Sequence, residues 1–447
     1  MKGQPLMEII HRVPLFRMRW TFLFPLLLCS WSVLALDAGV SDCDITPDTE
    51  AFRVPMAGYG ARGGRPSQGV HDPLKAKVLC FRSGETRMAL VTADLRSITP
   101  CLKNQILEKT SSLGFTADNL FVCASHTHAG PSMYPETFWQ IQFGKYDPRI
   151  VEIMSGKIAR SLQEAWEEAK PAKIGFAHTP VQGYTENRRW EHNQVARQNT
   201  GETPCVDSTL RLLRVDDMDG IMKALLVHFA THPTITGSDN FLLSAEWPGA
   251  LQRTIESMCP GTTALFCNGA EGDQRPTGTQ GQDAFARMED FGKRLALEAI
   301  DLSRGMETLP DLSIASVHAK VELPSVKFCE SALQGPFAFL SDLAKKELPR
   351  HAELQIFVIG DVALAGLPGE PLCAVGSSCH EALLRSGFRD AMVIGLANDY
   401  LGYIVNEEEY DHGGYEVEHR SFYGPSLGTF LVQEIESLAQ TLQVPAP

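Results

Sequence analysis

The tripeptide His126-Thr127-His128 follows directly on the apolar run Leu120-Phe121-Val122-Cys123-Ala124, and Gly130-Pro131 closes the stretch. Side chains two residues apart in extended backbone share a face, so both imidazoles can aim at one point. Neutral imidazole is a favoured zinc ligand, and a second one beside it can serve as acid, base or water anchor. A histidine pair on an ordinary loop is the bland alternative. The run before the pair is short and apolar, which predicts a buried strand. If that strand is parallel to its neighbour, the histidines leave its carboxyl end, where open α/β sheets place their ligand crevices.

The same arrangement of strand, tight Gly or Pro turn and polar side chain recurs along the chain. Thr231-His232-Pro233-Thr234 follows the run from Ala224 to Phe229, and Asn268-Gly269-Ala270-Glu271-Gly272-Asp273 follows Leu265-Phe266-Cys267. Gly366-Leu367-Pro368-Gly369-Glu370 follows Val362-Ala363-Leu364, and Tyr400, Tyr403, Tyr410, Tyr415 and Tyr423 crowd the last segment. His228, inside its strand, reads as a satisfied core histidine. Asp94, just beyond Ala89-Leu90-Val91-Thr92-Ala93, reads as a carboxylate that orients a histidine.

The elements that must position these groups alternate in type. Further strands are predicted at Val78 to Phe81, Met88 to Thr92, Leu210 to Val215, Thr263 to Cys267, Leu354 to Val358 and Ala391 to Leu396. Helices are predicted at Asn104 to Leu113, Ile150 to Ala169, Asp283 to Ser303 and Cys373 to Leu384. This alternation predicts an α/β fold: a single large domain with a mixed β-sheet flanked by helices and an active site at strand C-terminal ends. Glu186 to Asp207 reads as a polar surface excursion.

With 447 residues, 44% of them hydrophobic, the chain can bury a large core. A net charge of -14 and the lack of a basic tail argue against nucleic acid as a partner. Residues 1–35 read as a signal peptide, with Arg12, Arg17 and Arg19 ahead of an apolar stretch and small residues after it. An uncleaved membrane anchor is the alternative. Either way the protein is expected to be exported: secreted, periplasmic or anchored through this segment. Eleven cysteines are present without a C-x-x-C pair, which removes zinc-ribbon and thioredoxin-like readings. Cys259 with Cys267 and Cys373 with Cys379 are close enough in sequence to bridge. Cys80, Cys123 and Cys267 lie in apolar runs and read as core.

In this order the segments resemble the catalytic domain of the neutral, non-lysosomal ceramidases, zinc-dependent amidases of N-acylated sphingoid bases. The resemblance runs from Asp44 to about Leu427. It is carried by Gly58-Tyr59, Gly69-Val70-His71, Ser125 to Pro131, Asn187-Arg188, His232-Pro233-Thr234, Asn268 to Asp273, Leu367 to Glu370, Tyr403 to Tyr415 and Tyr423-Gly424-Pro425. It implies that residues 36–447 form a zinc hydrolase domain in which His126, His232, Glu370 and Tyr403 hold Zn2+. His128 would be the acid or base at the water, and Arg188 and Tyr415 would face the scissile amide and its oxyanion. The implied partner is a small amphiphilic N-acyl substrate, with room for contact with a membrane surface. Oligomeric state is left open.

Each assignment has a blander counterpart. His232 could bond a backbone carbonyl, Glu370 could begin a helix, Tyr403 and Tyr415 could line a core edge, and Arg188 beside Arg189 could be solvated. The chain also departs from the family pattern. Gly272-Asp273-Gln274-Arg275-Pro276 stands where the family carries Gly-Asp-Val-Ser-Pro, so Arg275 replaces a serine and leaves the zinc-water route. Ser244-Ala245-Glu246-Trp247-Pro248-Gly249 replaces a second family motif. The sequence stops soon after Tyr423-Gly424-Pro425, so no C-terminal immunoglobulin-like domain is expected. Two other functions stay open: a metallohydrolase of a soluble amide or ester, for which Arg275 would select an anionic group, and a non-catalytic ceramidase-like binding protein.

Overall fold

In the computed structural model, which describes residues 36–189, 203–329 and 340–442, the long strands collect into two sheets. The larger has eight strands in the spatial order Thr263–Asn268, Met222–Phe229, Thr209–Asp217, Lys170–Pro180, Asp37–Asp44, Lys75–Ser83, Thr86–Ala93, Leu120–Ala124. The smaller has four: Ile314–Glu322, His351–Ile359, Val362–Gly366 and Asp390–Ile394. Most neighbours are antiparallel. Parallel pairs form where Thr263–Asn268 meets Met222–Phe229, where Leu120–Ala124 meets Thr86–Ala93, and where Val362–Gly366 meets Asp390–Ile394.

The predicted mixed sheet flanked by helices is present, but as two sheets packed face to face. Alternation along each strand explains how. Val78 and Cys80 turn outward beneath helices, whereas Leu79 and Phe81 turn inward towards the other sheet. Phe121 of the larger sheet meets Phe357 of the smaller one edge to face, with ring centres 5.4 Å apart. Leu226, Leu265, Leu364 and Met392 complete the inner layer. Pro100–Thr110 and Pro148–Glu167 cover one outer face through Ile106, Ile158 and Leu162. Glu246–Met258 and Ala284–Arg304 cover the rest of that sheet through Leu251 and Leu295. Cys373–Arg385 and Leu427–Gln440 pack on the smaller sheet. The result is four layers, helix, sheet, sheet, helix.

Local chemistry sets the helix starts. Thr99 and Asp147 each accept a backbone N–H at a helix N-terminus, with proline at the next position. Among the described residues no helix is long and apolar enough to cross a membrane. The expected export segment, 1–35, and residues 190–202 of the Glu186–Asp207 excursion lie outside the described residues.

Cys205 is disulfide-bonded to Cys373, 168 positions away in sequence. The sequence-adjacent pairings are not made, and Cys259, Cys267 and Cys379 are free thiols. Cys267 lies in a strand, where its sulfur turns inward to face that of Cys123 at 3.4 Å. The core reading of Cys80, Cys123 and Cys267 holds, since all three are buried and unbridged.

One ion pair joins the layers and gives a pH test. The ammonium of Lys103, buried on helix Pro100–Thr110, meets the carboxylate of Glu353 on strand His351–Ile359. Burial pushes the Glu353 carboxyl up, but nearby His318 and the Lys103 charge outweigh it and hold the group down at about 2. An unfolded glutamate titrates near ~4.3. The pair therefore stabilises the fold fully above that pH, and the contribution is lost as pH falls towards 2. Glu353→Gln is expected to lower the melting temperature at neutral pH and to flatten its decline through this acid window, as read by thermal melts at graded pH.

Candidate metal centre

The three parallel strand pairs end in one place. His126 lies two residues past Leu120–Ala124, His232 three past Met222–Phe229, Glu271 three past Thr263–Asn268 and Glu370 four past Val362–Gly366. Parallel strands bring their carboxyl ends to one side, which is why residues so distant in sequence meet. His126 adopts a left-handed backbone, φ 72°, and its N–H donates to the Leu95 carbonyl at 2.9 Å. Such a conformation is disfavoured for a residue with a Cβ and persists where surrounding contacts fix it.

The imidazoles are oriented from behind. His126 Nδ1 donates to the Arg96 carbonyl oxygen at 2.7 Å, and His232 Nδ1 to those of Glu271 and Gln274 at 2.8 and 3.0 Å. Carbonyls only accept, so each Nδ1 carries the proton and each Nε2 turns a lone pair inward. Glu370 Oε2 lies 3.3 Å from both Nε2 atoms. Its other oxygen accepts from Arg96 Nη2 at 3.2 Å and from the Tyr400 hydroxyl at 2.5 Å. Burial, helped by the Arg188 charge, pushes the His232 imidazole down to about 4, so it is neutral at neutral pH.

Three acceptors with facing lone pairs repel one another unless a cation lies between them. A tetrahedral zinc with bonds of ~2.0–2.1 Å would set its ligand atoms ~3.3 Å apart. The spacing and the neutral-imidazole and carboxylate donor set both fit a divalent metal of that kind. The bland readings of His232 and Glu370 are only half right. His232 does bond backbone carbonyls, but through the nitrogen facing away from the cluster. Glu370 sits not in a helix but in the short strand Glu370–Pro371, three residues before helix Cys373–Arg385.

His128 completes the inner face. Its Nε2 is 3.1 Å from His126 Nε2, and its Nδ1 has no hydrogen-bond partner among the described residues. Its ligand atoms, with those of His126 and His232, lie within 4.8 Å of one another. Burial and the neighbouring His126 push this imidazole well below its ordinary value. The Tyr59 ring packs edge-on at 4.9 Å. Gly58 makes this approach with φ 101°, and a Cβ there would come within 2.8 Å of His128 backbone and side-chain atoms. Gly58→Ala is therefore expected to displace His128 and cut turnover ~10²-fold with metal content retained, checked by kinetics beside metal analysis.

Tyr403 pairs with Glu370 in a two-residue parallel bridge, which sets it beside the cluster with its ring 6.4 Å from that of His232. Its hydroxyl oxygen accepts from Arg188 Nη2 at 2.8 Å. Burial pushes the phenol well above its ordinary value. Arg188 also donates to Glu416 and to the Gly272 carbonyl, both at 2.7 Å, leaving Nη1 without a hydrogen bond among the described residues. Tyr415 stands at the rim, 50% exposed, with its ring 6.1 Å from Tyr403. Neither Arg188 nor Arg189 is a solvated surface group, since Arg189 is buried against Glu409 and Glu416. His228 is a core histidine as expected, its Nε2 bonded to the Val393 carbonyl at 2.8 Å.

Other expectations are corrected. Asp94 orients no histidine. It accepts from the Lys75 N–H and Gln252 Nε2, because its side chain turns back along the sheet edge while the Arg96 carbonyl takes His126. Arg275 is strand-paired with Glu186 and donates to its carboxylate at 2.7 Å, so its charge is already answered. Several supporting residues were given no role by the sequence reading. Buried Arg62 donates to the carbonyls of Ala57, His128, Gly237 and Asn240 and straps the His128 loop. Arg96 and Tyr400 hold Glu370. Asp273 ties Asn187, Gln274 and the Cys373 N–H into one knot. Glu271 is buried, within 4.8 Å of ligand atoms of His126 and Glu370.

Sheet and cluster together define an α/β protein that gathers neutral imidazoles and a carboxylate into a buried cage able to hold a metal ion. The chain belongs to the neutral/alkaline non-lysosomal ceramidase family, whose N-terminal region matches residues 36–280. Relatives include a neutral ceramidase of Mycobacterium tuberculosis, 22% identical over 91% of this chain and 77% of that protein. Neutral ceramidase A of Dictyostelium discoideum is 23% identical over 87% of this chain and 70% of its own length. The fold is shared with the crystal structure of neutral ceramidase from Pseudomonas aeruginosa, at a TM-score of 0.79 and 19% identity. That match covers 93% of this chain and 76% of the other.

Proposed function

We propose that this protein is a zinc-dependent amidohydrolase that cleaves the amide bond of a ceramide-like N-acyl lipid, releasing a fatty acid and a sphingoid base. The observation that carries this reading is the convergence of His126 Nε2, His232 Nε2 and Glu370 Oε2, with 3.3 Å from the carboxylate oxygen to each nitrogen. Family membership supports the substrate class. His126, His232 and Glu370 would hold the ion, and Tyr403 would complete the set, the Arg188 donation stabilising negative charge on its oxygen. When bound, the cation would polarise the amide carbonyl and acidify a water to a pKa of ~7.

The remaining work falls to side chains. His128 takes the proton released as water adds to the carbonyl carbon, then hands it to the amine nitrogen as the C–N bond breaks. Arg188, through Nη1, and Tyr415 stabilise the charge that grows on the carbonyl oxygen. Residues 36–447 form the hydrolase domain and residues 1–35 direct export. The Cys205–Cys373 disulfide supports an oxidising destination.

The deciding experiment offers the purified protein N-acyl sphingosines of short and long acyl chain beside soluble N-acyl amino acids, with fatty acid release measured. Preferential hydrolysis of the sphingosine amides, abolished by chelation and restored by Zn2+, is expected. Turnover of the soluble amides alone would replace the lipid substrate. Failure to cleave any substrate, with metal bound, would make the protein a binder.

A further inference from the structure

Glu271 is the one group at the cluster that the mechanism above leaves without work. Its side chain is fully buried, 0% exposed, and neither carboxylate oxygen has a hydrogen-bond partner among the described residues. One of its oxygens lies within 4.8 Å of ligand atoms of both His126 and Glu370. The backbone on either side is already committed: the Glu271 carbonyl accepts from His232 Nδ1, and the Gly272 N–H donates to the Pro371 carbonyl. Space for the carboxylate is kept by Gly395, where a Cβ would fall 2.7 Å from Glu271 Oε2.

A carboxylate buried without hydrogen bonds is costly unless a cation answers it. No guanidinium donates to it among the described residues. Arg96 is bound to Glu370, Tyr134 and Tyr400, and Arg188 to Glu416, Tyr403 and the Gly272 carbonyl. The neighbour that remains, Glu370, carries the same sign. A metal ion in the cluster would lie within reach of both carboxylates and give Glu271 the direct partner it lacks.

We propose that Glu271 is a further ligand of the metal, so that the cage offers two carboxylates beside its imidazoles. This rests on the metal-binding reading above and extends it. A second carboxylate cancels the charge of a divalent ion and adds a hard oxygen donor. The site should therefore hold Mn2+ and Co2+ well in addition to Zn2+, where an imidazole-dominated cage would favour zinc more strongly.

The test compares the full-length protein with Glu271→Gln and Glu271→Asp, using Zn2+ and Co2+ as probes. Chelator competition should give a Kd for Zn2+ raised ~10–100-fold or more in Glu271→Gln, with Glu271→Asp between the two. The visible absorption of the Co2+-loaded protein should change intensity as a ligand is lost. Melting temperatures give an independent reading. Without metal, Glu271→Gln should be at least as stable as the native protein, because an uncharged side chain of the same shape takes the place of a carboxyl group with no hydrogen-bond partner among the described residues. With metal, the order should reverse. An unchanged Kd and Co2+ spectrum in Glu271→Gln, with the native protein metal-loaded, would overturn this assignment alone. A native protein that binds neither ion would overturn the metal-centre reading as well.

Discussion

Replacing His126 or Glu370 with alanine is expected to give protein that retains no stoichiometric metal and cleaves its N-acyl lipid at least ~10²-fold more slowly. Residues that merely orient a metal ligand already cost 10–100-fold when removed, and in the proposed centre these two would supply donor atoms themselves. The two variants should differ in stability. Glu370 also accepts from Arg96 and Tyr400 in a dry interior, so its loss leaves a buried guanidinium short of its carboxylate, at ~3–5 kcal/mol. Glu370→Gln keeps an acceptor for both donors and should lose metal with less damage to the fold. Elemental analysis beside melting curves reads all three variants. Native metal content in Glu370→Gln would show that the carboxylate is not a ligand.

A comparable loss, with a different signature, is expected from Arg189→Met. This guanidinium is buried and makes four hydrogen bonds, to the Glu409 and Glu416 carboxylates and to the carbonyls of Glu409 and Gly413. It clamps the segment that carries Tyr415 and Glu416, and Glu416 in turn aims Arg188. Methionine fills part of the volume but leaves buried carboxylates short of a counter-charge, a loss of ~3–5 kcal/mol. Turnover should fall with it while metal content stays native, because Arg189 touches none of the proposed ligands directly and reaches Tyr403 only through Glu416 and Arg188. Calorimetry, kinetics and elemental analysis on one sample separate this outcome from simple misfolding. A variant as stable and active as the native protein would remove the clamp from the account.

Much of this was legible because His126, His232 and Glu370 each follow an apolar run with a Gly or Pro turn close by. Leu120–Ala124 was read to the residue, and Met222–Phe229 and Val362–Gly366 within two, since fully buried strands leave short unbroken apolar runs. The same property hid the second sheet. A strand covered on both faces carries no alternation to say which layer lies on which side. Strand Asp37–Asp44 was missed because aspartates, serine and glycine leave it no apolar run. Helix Glu246–Met258 was missed because Pro248 and Gly249 look like breakers, although proline is tolerated in a first turn. Arg62 and Arg96 were not legible for another reason, and Glu271 was quoted in its motif without a role. A charged residue in a loop or turn reads as surface until the partners that draw it inward are known, and most of those partners lie far off in sequence.

The cage also sets how far this protein can be taken apart. Residues 36–280 hold both imidazoles and the whole eight-stranded sheet, while Glu370, Tyr403 and the four-stranded sheet lie beyond. A break between the two stretches would leave the nitrogen donors and Glu271 on one piece and Glu370 and Tyr403 on the other. Neither fragment could bind the ion as the intact chain does, and complementation would require the two sheets to find each other again. On the proposed reading catalysis would need both stretches in one fold, and an amputated chain should behave as an inert scaffold.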